Sequence, residues 1–323
     1  MISLELLTAN ILSPMVLAFV LGFVAVLLKS DLKLPEGLYT GLSIYLLFAI
    51  GLKGGYALSE VSVSDVWKPF IATVTIGVIT PSLAYFVSRR FGKLDRINSA
   101  ALAAHYGSVS AVTFIAANTF AKMNNLQPEG FMPALVAVLE IPAIFFAIWL
   151  VLRRRPDVSF RPLVHEILSG RASILLIGGL LIGLISTPEG IHQVNPLFGD
   201  LFYGALTIFL LEMGLIAGAK VSLLKQHTFF LISFGILVPL VNGTIGTTAG
   251  IVSGLSPGGA GILGAMSASA SYIAAPAAVR IMLPEANSSL YLTGAIVVTF
   301  PFNLIIGIPI YLEIAKLLSN SLH

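Results

Sequence analysis

Cysteine is absent from all 323 residues, which removes disulfides, thiolate metal centres and cysteine nucleophiles together. Charge is nearly as scarce: Asp, Glu, Lys and Arg make up 10% of the chain against 57% hydrophobic residues, at a mean hydropathy of +0.96. Soluble domains carry about 25% charged residues. A soluble two-domain protein is therefore excluded, and the composition is that of an integral membrane protein. Met1 to Asn10 holds no Lys or Arg, so the basic start of a cleavable signal peptide is missing and the first apolar segment is expected to stay. The connecting segments are short, so the pI of 9.1 reflects basic loops, and no nucleic-acid partner is expected.

What is present is a series of apolar runs, each long enough to cross about 30 Å of hydrocarbon as a helix. The expected fold is all-α, with about ten transmembrane helices: 11–28, 38–58, 67–91, 98–121, 131–152, 169–186, 199–219, 227–254, 258–281 and 289–317. The one sizeable polar break, "RRRPDVSFRPLVHEILSGR" from Arg153 to Arg171, divides them five and five. Overlaying the halves at an offset of about 160 residues matches four fragments in order, as expected for an internal repeat. "LSIYLLFAIGLKGG" pairs with "LTIFLLEMGLIAGA", "GVITP" with "GILVP", "AHYGSVSAVTFIAA" with "AMSASASYIAAPAA", and "LQPEG…EIP" with "MLPEA…TFP". An odd number of spans per repeat inverts the second copy in the membrane. The expected organisation is residues 1–155 as one repeat, 156–168 as a short basic cytoplasmic linker, and 169–323 as the inverted second repeat.

Charge bias tests this count. Loops after odd-numbered spans hold fourteen of the 18 Lys and Arg, leaving Lys53, Lys68, Lys122 and Lys316 on the other side. The rule puts the Arg-rich central loop in the cytoplasm and both termini outside it, as expected for a multi-pass protein of the plasma (inner) membrane.

"AAHYGSVSAVTFIAANTF", Ala103 to Phe120, is polar where a span should be apolar. Gly107 with Ser108 and Ser110 makes a helix cheap to interrupt, since glycine tolerates open backbone and hydroxyls rebond freed groups. The repeat mate "MSASASYIAAPAA" carries Pro276, whose missing N–H frees a carbonyl one turn back. Two broken helices near the midplane expose half-helix N-termini that suit an anion, and carbonyls and hydroxyls that suit a small cation. The alternative is that these small residues serve close helix packing.

His105 reads as a proton sensor, an anion contact or a satisfied bundle residue. Glu140 and Glu212 are the carboxylates well inside spans. Glu140, just before a kink expected at Pro142, suits cation coupling, and Glu212 suits a hydrogen bond between helices. Thr299 and Asn303, beside Pro301 and Pro309, form a third polar cluster or a packing feature. Lys53 could neutralise an anion or Glu212, or snorkel to the interface. The "PEG" triplets at Pro35, Pro128 and Pro188 read as turns and helix starts.

These residues resemble the sodium-dependent bicarbonate transporter family best known from cyanobacteria. "GSVSAVT" is similar to its Gly-x-Val-Ser-x-x-Thr stretch, matching Gly107, Val109, Ser110 and Thr113. "SASYIAAPAAVRIMLPEAN" is similar to its Ser-rich stretch with Pro, Arg and a Pro-x-Ala-Asn turn, matching Ser269, Ser271, Pro276, Arg280, Pro284 and Asn287. "EIPA" sets Glu140 where the family has an acid. The departures are Tyr272 in place of an aspartate, Ala111 and Val112 in place of a second Gly-Ser, and a shorter central loop.

The resemblance implies sodium-coupled uptake of bicarbonate by alternating access, no organic cofactor, sodium as the coupling ion and only metal with no transition metal, and a homotrimer in the bilayer. It also implies a cytosolic PII-like regulator, against which the short loop speaks. The implied anion site is Gly107, Ser108, Val109, Ser110, Ser269, Ala270, Ser271 and Tyr272. The implied cation site is Ser110, Thr113, Glu140, Thr299 and Asn303. Other readings are a small organic anion, proton coupling through Glu140 or His105, a passive channel, and an intramembrane enzyme using Ser110 or Ser271 with His105.

Overall fold

A computed structural model describes residues 4–152, 161–226 and 229–322. Among the described residues the chain is helical, with no strand. The elements run α1 (Leu4–Ile11), α2 (Pro14–Leu27), α3 (Glu36–Ser59), α4 (Val63–Arg90), α5 (Arg96–Gly107), α6 (Ala111–Met123), α7 (Met132–Leu152) and α8 (Arg161–Ser169). They continue through α9 (Arg171–Ile185), α10 (Pro188–Asn195), α11 (Phe202–Lys220), α12 (Phe229–Val252), α13 (Pro257–Ser267), α14 (Ala274–Met282), α15 (Ser288–Thr293), α16 (Phe300–Phe302) and α17 (Ile308–Leu322).

Six described helical stretches are long and apolar enough to cross a membrane: 37–59, 63–90, 96–123, 188–224, 229–252 and 288–321. α2, the start of α7 and α9 are apolar but shorter. The first apolar run is preceded by an unanticipated helix, α1, because Ser13 stops it and caps the next: its Oγ accepts from Val16 N at 3.3 Å. Most of the sequence expected to be linker is helix α8. Arg153 to Arg155, linker residues 156–160 and His227 lie outside the described residues.

Prolines interrupt these helices less than their chemistry suggests. α7 runs on through Pro142, and α4 through Pro69 and Pro81. In the last stretch, α15, α16 and α17 are joined by π-helical turns at 294–299 and 303–307, wider turns that absorb Pro301 and Pro309. Asn10 reaches across from α1 to the second of them, donating to Leu304 O at 2.7 Å and Ile305 O at 3.0 Å.

Packing follows the small residues. α2 lies along α11, and α3 along α9. Gly51 and Gly55 of α3 face Gly179 and Gly183 of α9, so each backbone touches the other. A methyl on Gly51 would sit 2.6 Å from Leu176 O, one on Gly179 2.9 Å from Phe48 O, and one on Gly183 inside the Leu52 carbonyl. Gly22 of α2 and Gly214 of α11 close the other pair in the same way. With no hydrophobic drive between helices in lipid, this close approach is what holds such pairs together. The remaining helices form a second group, in which α4 packs on α5 and α7, and α12 packs on α13 and α17. α6 against α13 and α4 against α12 join its halves.

Candidate functional site

The two interrupted helices meet each other in this second group. α5 ends at Gly107, where a Cβ would come within 2.6 Å of Pro81, so only glycine lets the helix end against α4. Ser108 and Ser110 have extended backbone, and α6 starts at Ala111 with Ser110 as its cap, its Oγ accepting from Thr113 N at 3.3 Å. In the other stretch α13 ends at Ser267 and α14 begins at Ala274. The break therefore lies N-terminal to Pro276, which sits in the first turn of α14. There its missing N–H costs nothing, because first-turn amides have no helical partner. Pro276 thus starts the second half-helix and is not itself the break.

Reciprocal hydrogen bonds tie the breaks together. Ser110 N donates to Ser269 Oγ at 2.8 Å, and Ser271 N donates to His105 O at 2.8 Å. Ser269 Oγ itself donates to Met266 O at 2.7 Å, while Ser271 Oγ accepts from Ala275 N at 3.2 Å. Asn303 Nδ2 donates to Ala268 O at 2.8 Å, and Tyr311 donates to Asn303 Oδ1 at 3.2 Å. Freed backbone groups are thus met by hydroxyls and an amide, as burial in an apolar bundle demands.

A small cavity of about 10 Å³ lies at the crossing, walled by Val109, Ser110, Ala111, Ser271, Tyr272, Ile273, Leu47, Ala172 and Glu140. It has room for about one water-sized particle. Next to it, sharing Glu140, Ala172 and Ile273, is a cavity of about 230 Å³. Its further walls are Ile144, the start of α9 from Gly170 to Ser173, and Ala274, Ala277 and Ala278 of α14. Two half-helix or helix N-termini and the Arg171 side chain border this space, an electropositive setting. Glu140 stands between the two cavities, 5% exposed, and makes no hydrogen bond or ion pair with any described residue.

The structure thus brings Val109, Ser110, Ser271, Tyr272 and Glu140 to one place. Ser269 and Asn303 brace it from behind. Ser108 is buried with its hydroxyl unpartnered, and Thr113 is buried in the first turn of α6. Thr299 is elsewhere: its hydroxyl donates to Gly235 O at 2.7 Å and lies 2.8 Å from the Tyr106 hydroxyl. Gly170, Arg171 and Ser173 were missed by sequence reasoning, because the start of α9 looks like an ordinary loop-to-span boundary.

His105 lies with Nδ1 2.7 Å from Ala101 O, so that nitrogen carries the proton, and its ring stacks on Tyr291 at 4.2 Å. Its Nε2 has no partner and reaches neither serine hydroxyl, which removes the geometry an activated serine requires. Glu212 Oε2 is buried without a partner, and Lys53 forms no ion pair with it.

A family profile described as the Na+-dependent bicarbonate transporter superfamily matches residues 14–316. The chain belongs to that superfamily. No curated protein matches it. Membership makes this a multi-pass membrane transporter rather than an enzyme, and the intramembrane-enzyme reading falls.

Proposed function

We propose that the chain carries bicarbonate into the cell with sodium by alternating access, on two inverted five-helix repeats. The observation that carries this reading is the crossing of two interrupted helices, tied by reciprocal bonds and open to a cavity large enough for a hydrated oxyanion. The repeat is supported by packing: α2 on α11 is answered by α3 on α9, and α4 on α5 by α12 on α13. The two helix starts are pinned alike. Asn98 of α5 accepts from Asn287 N at 2.8 Å, and Ser256, the cap of α13, is held by Glu129 at 2.6 Å.

Ser110, Ser271 and the first amides of α6 and α14 hold the anion. Neutral donors stabilise its charge without trapping it, and release matters as much as capture. Glu140 of α7 and nearby carbonyls hold the sodium, with Thr113 in the first turn of α6. The large cavity at Arg171 lies on the side of the basic loops, the cytoplasmic side by charge bias. On the opposite side Ile50, Phe114 and Ile115, each at most 3% exposed, close the way. That is the arrangement of a carrier open inward. The plasma membrane, the external termini and the homotrimer expected from the resemblance belong to the same proposal.

A second reading, proton coupling, is favoured by Glu140 standing without an ion pair. Uptake of labelled bicarbonate into proteoliposomes under a sodium, potassium or proton gradient separates the two. Accumulation with sodium alone supports the proposal, accumulation with protons alone moves the coupling to Glu140 protonation, and no uptake by folded protein overturns bicarbonate as the substrate.

A further inference from the structure

A third cavity, of about 80 Å³, lies at the other end of the same helices, with Lys53, Asn118, Lys122 and Glu129 in its wall and Ile50 and Phe114 at its floor. One helix, α7, borders it and the two already described. Pro133 of α7 borders it, Glu140 borders the crossing and Ile144 borders the inner cavity. Seven residues of helix separate the first two, roughly 10 Å at 1.5 Å per residue. The floor residues Ile50 and Phe114 stand one helical turn from Leu47 and Ser110 of the crossing.

The cavity's charge is unbalanced. Glu129 is the one acid in its wall, and both of its oxygens are engaged by Ser256: Oε1 accepts from the backbone N at 2.6 Å and Oε2 from the hydroxyl at 3.2 Å. Neither lysine forms an ion pair with a described residue; Asp200 is only within longer electrostatic reach of Lys53. Lys53 does not extend freely to water, because its Nζ is held 4.3 Å from the centroid of the Phe202 ring. The loops and helix ends around it carry Glu60, Asp65, Glu189 and Asp200, against Lys68 and Lys316 as the other bases counted on that side. Of these four lysines, Lys53 and Lys122 are the two that line a recess.

We propose that this recess is an outer capture site for a small oxyanion. Lys53 and Lys122 draw the anion in and Asn118 offers it an amide. It waits there until Ile50, Phe114 and Ile115 part to admit it to the crossing. The proposal rests on the anion-uptake reading and adds residues that reading does not use. Opposed charges in a low-dielectric recess raise local anion concentration and on-rate, and the effect falls with salt.

The test pairs two measurements on the full-length protein. In proteoliposomes the double variant K53Q/K122Q is expected to raise KM for bicarbonate about five-fold or more at low ionic strength, with the maximal rate within about two-fold and the gap narrowing in salt. K53R/K122R restores the wild-type KM, and K68Q, an exposed lysine on the same face, leaves it unchanged. An unchanged KM in K53Q/K122Q, or a loss confined to the maximal rate, overturns the proposal.

Acylation by a membrane-impermeant amine reagent, read by mass spectrometry at fixed pH and ionic strength, supplies the second measurement. Bicarbonate is expected to slow labelling of Lys53 and Lys122 relative to Lys68. Protection without transport supports the capture site and overturns bicarbonate uptake. Transport without protection overturns the capture site and leaves uptake standing. Neither protection nor transport overturns both.

Discussion

Removing the Ser269 hydroxyl tests the crossing most directly. That one oxygen accepts from Ser110 N and donates to Met266 O, so it links the break in one stretch to the end of a half-helix in the other. In Ser269→Ala the Met266 carbonyl keeps a partner, since Ser269 N already donates to it at 3.1 Å. Ser110 N has none left. The net loss is therefore one orphaned buried amide plus one ordinary hydrogen bond, about 1–3 kcal/mol, with the low end reached where water enters the small cavity beside it. Ser271→Ala is the control: its Oγ accepts only from Ala275 N, at a longer 3.2 Å and within its own stretch, so no link between the two breaks is lost and about 1 kcal/mol or less is expected.

The assay is thermal unfolding of the purified protein in detergent, followed by sodium-driven uptake in liposomes. Ser269→Ala melts a few degrees below wild type and below Ser271→Ala. If the bond is made only in the inward-open state, 1.4 kcal/mol shifts the balance of states about tenfold. The maximal uptake rate then changes while the protein stays folded. Identical melting of the two variants, together with wild-type uptake by Ser269→Ala, would refute the claim that this hydroxyl fastens the crossing.

Gly183→Leu forces α3 and α9 apart at the Leu52 carbonyl, so the yield of folded protein in gel filtration falls sharply while an Ala at the open position Gly178 changes nothing. Glu140→Gln keeps the shape and removes the charge, and sodium-driven uptake is expected to fall at least about tenfold with melting unchanged; retained sodium dependence moves the cation site elsewhere. Ser110→Leu and Ser271→Leu fill the cavity at the crossing, and both lose uptake while remaining folded in the membrane. Normal transport by both variants would place the anion away from the breaks.

Much of this was legible in the residues because a bilayer imposes strong local rules. A segment that must satisfy its own backbone in lipid has to be helix, so composition alone settled the class, and hydropathy settled the long stretches. Gly107, Ser108 and Ser110 announced a break because no apolar span otherwise carries that run. The motifs around Ser110, Ser269 and Glu140 were sufficient for the family.

Other features depend on partners far away in the chain. Pro276 reads as a breaker until the fold shows that it sits in the first turn of a half-helix. Thr299 and Asn303 stand four residues apart, yet one supports Gly235 and Tyr106 while the other holds Ala268. Arg171 and Lys122 were only loop and helix-end charges in the sequence, and Lys53 one that could meet an anion, pair with Glu212 or snorkel. Which cavity each borders was decided by the close approach of α3 to α9 and of α6 to α13, because a cavity is the space left between helices, and no single helix encodes it.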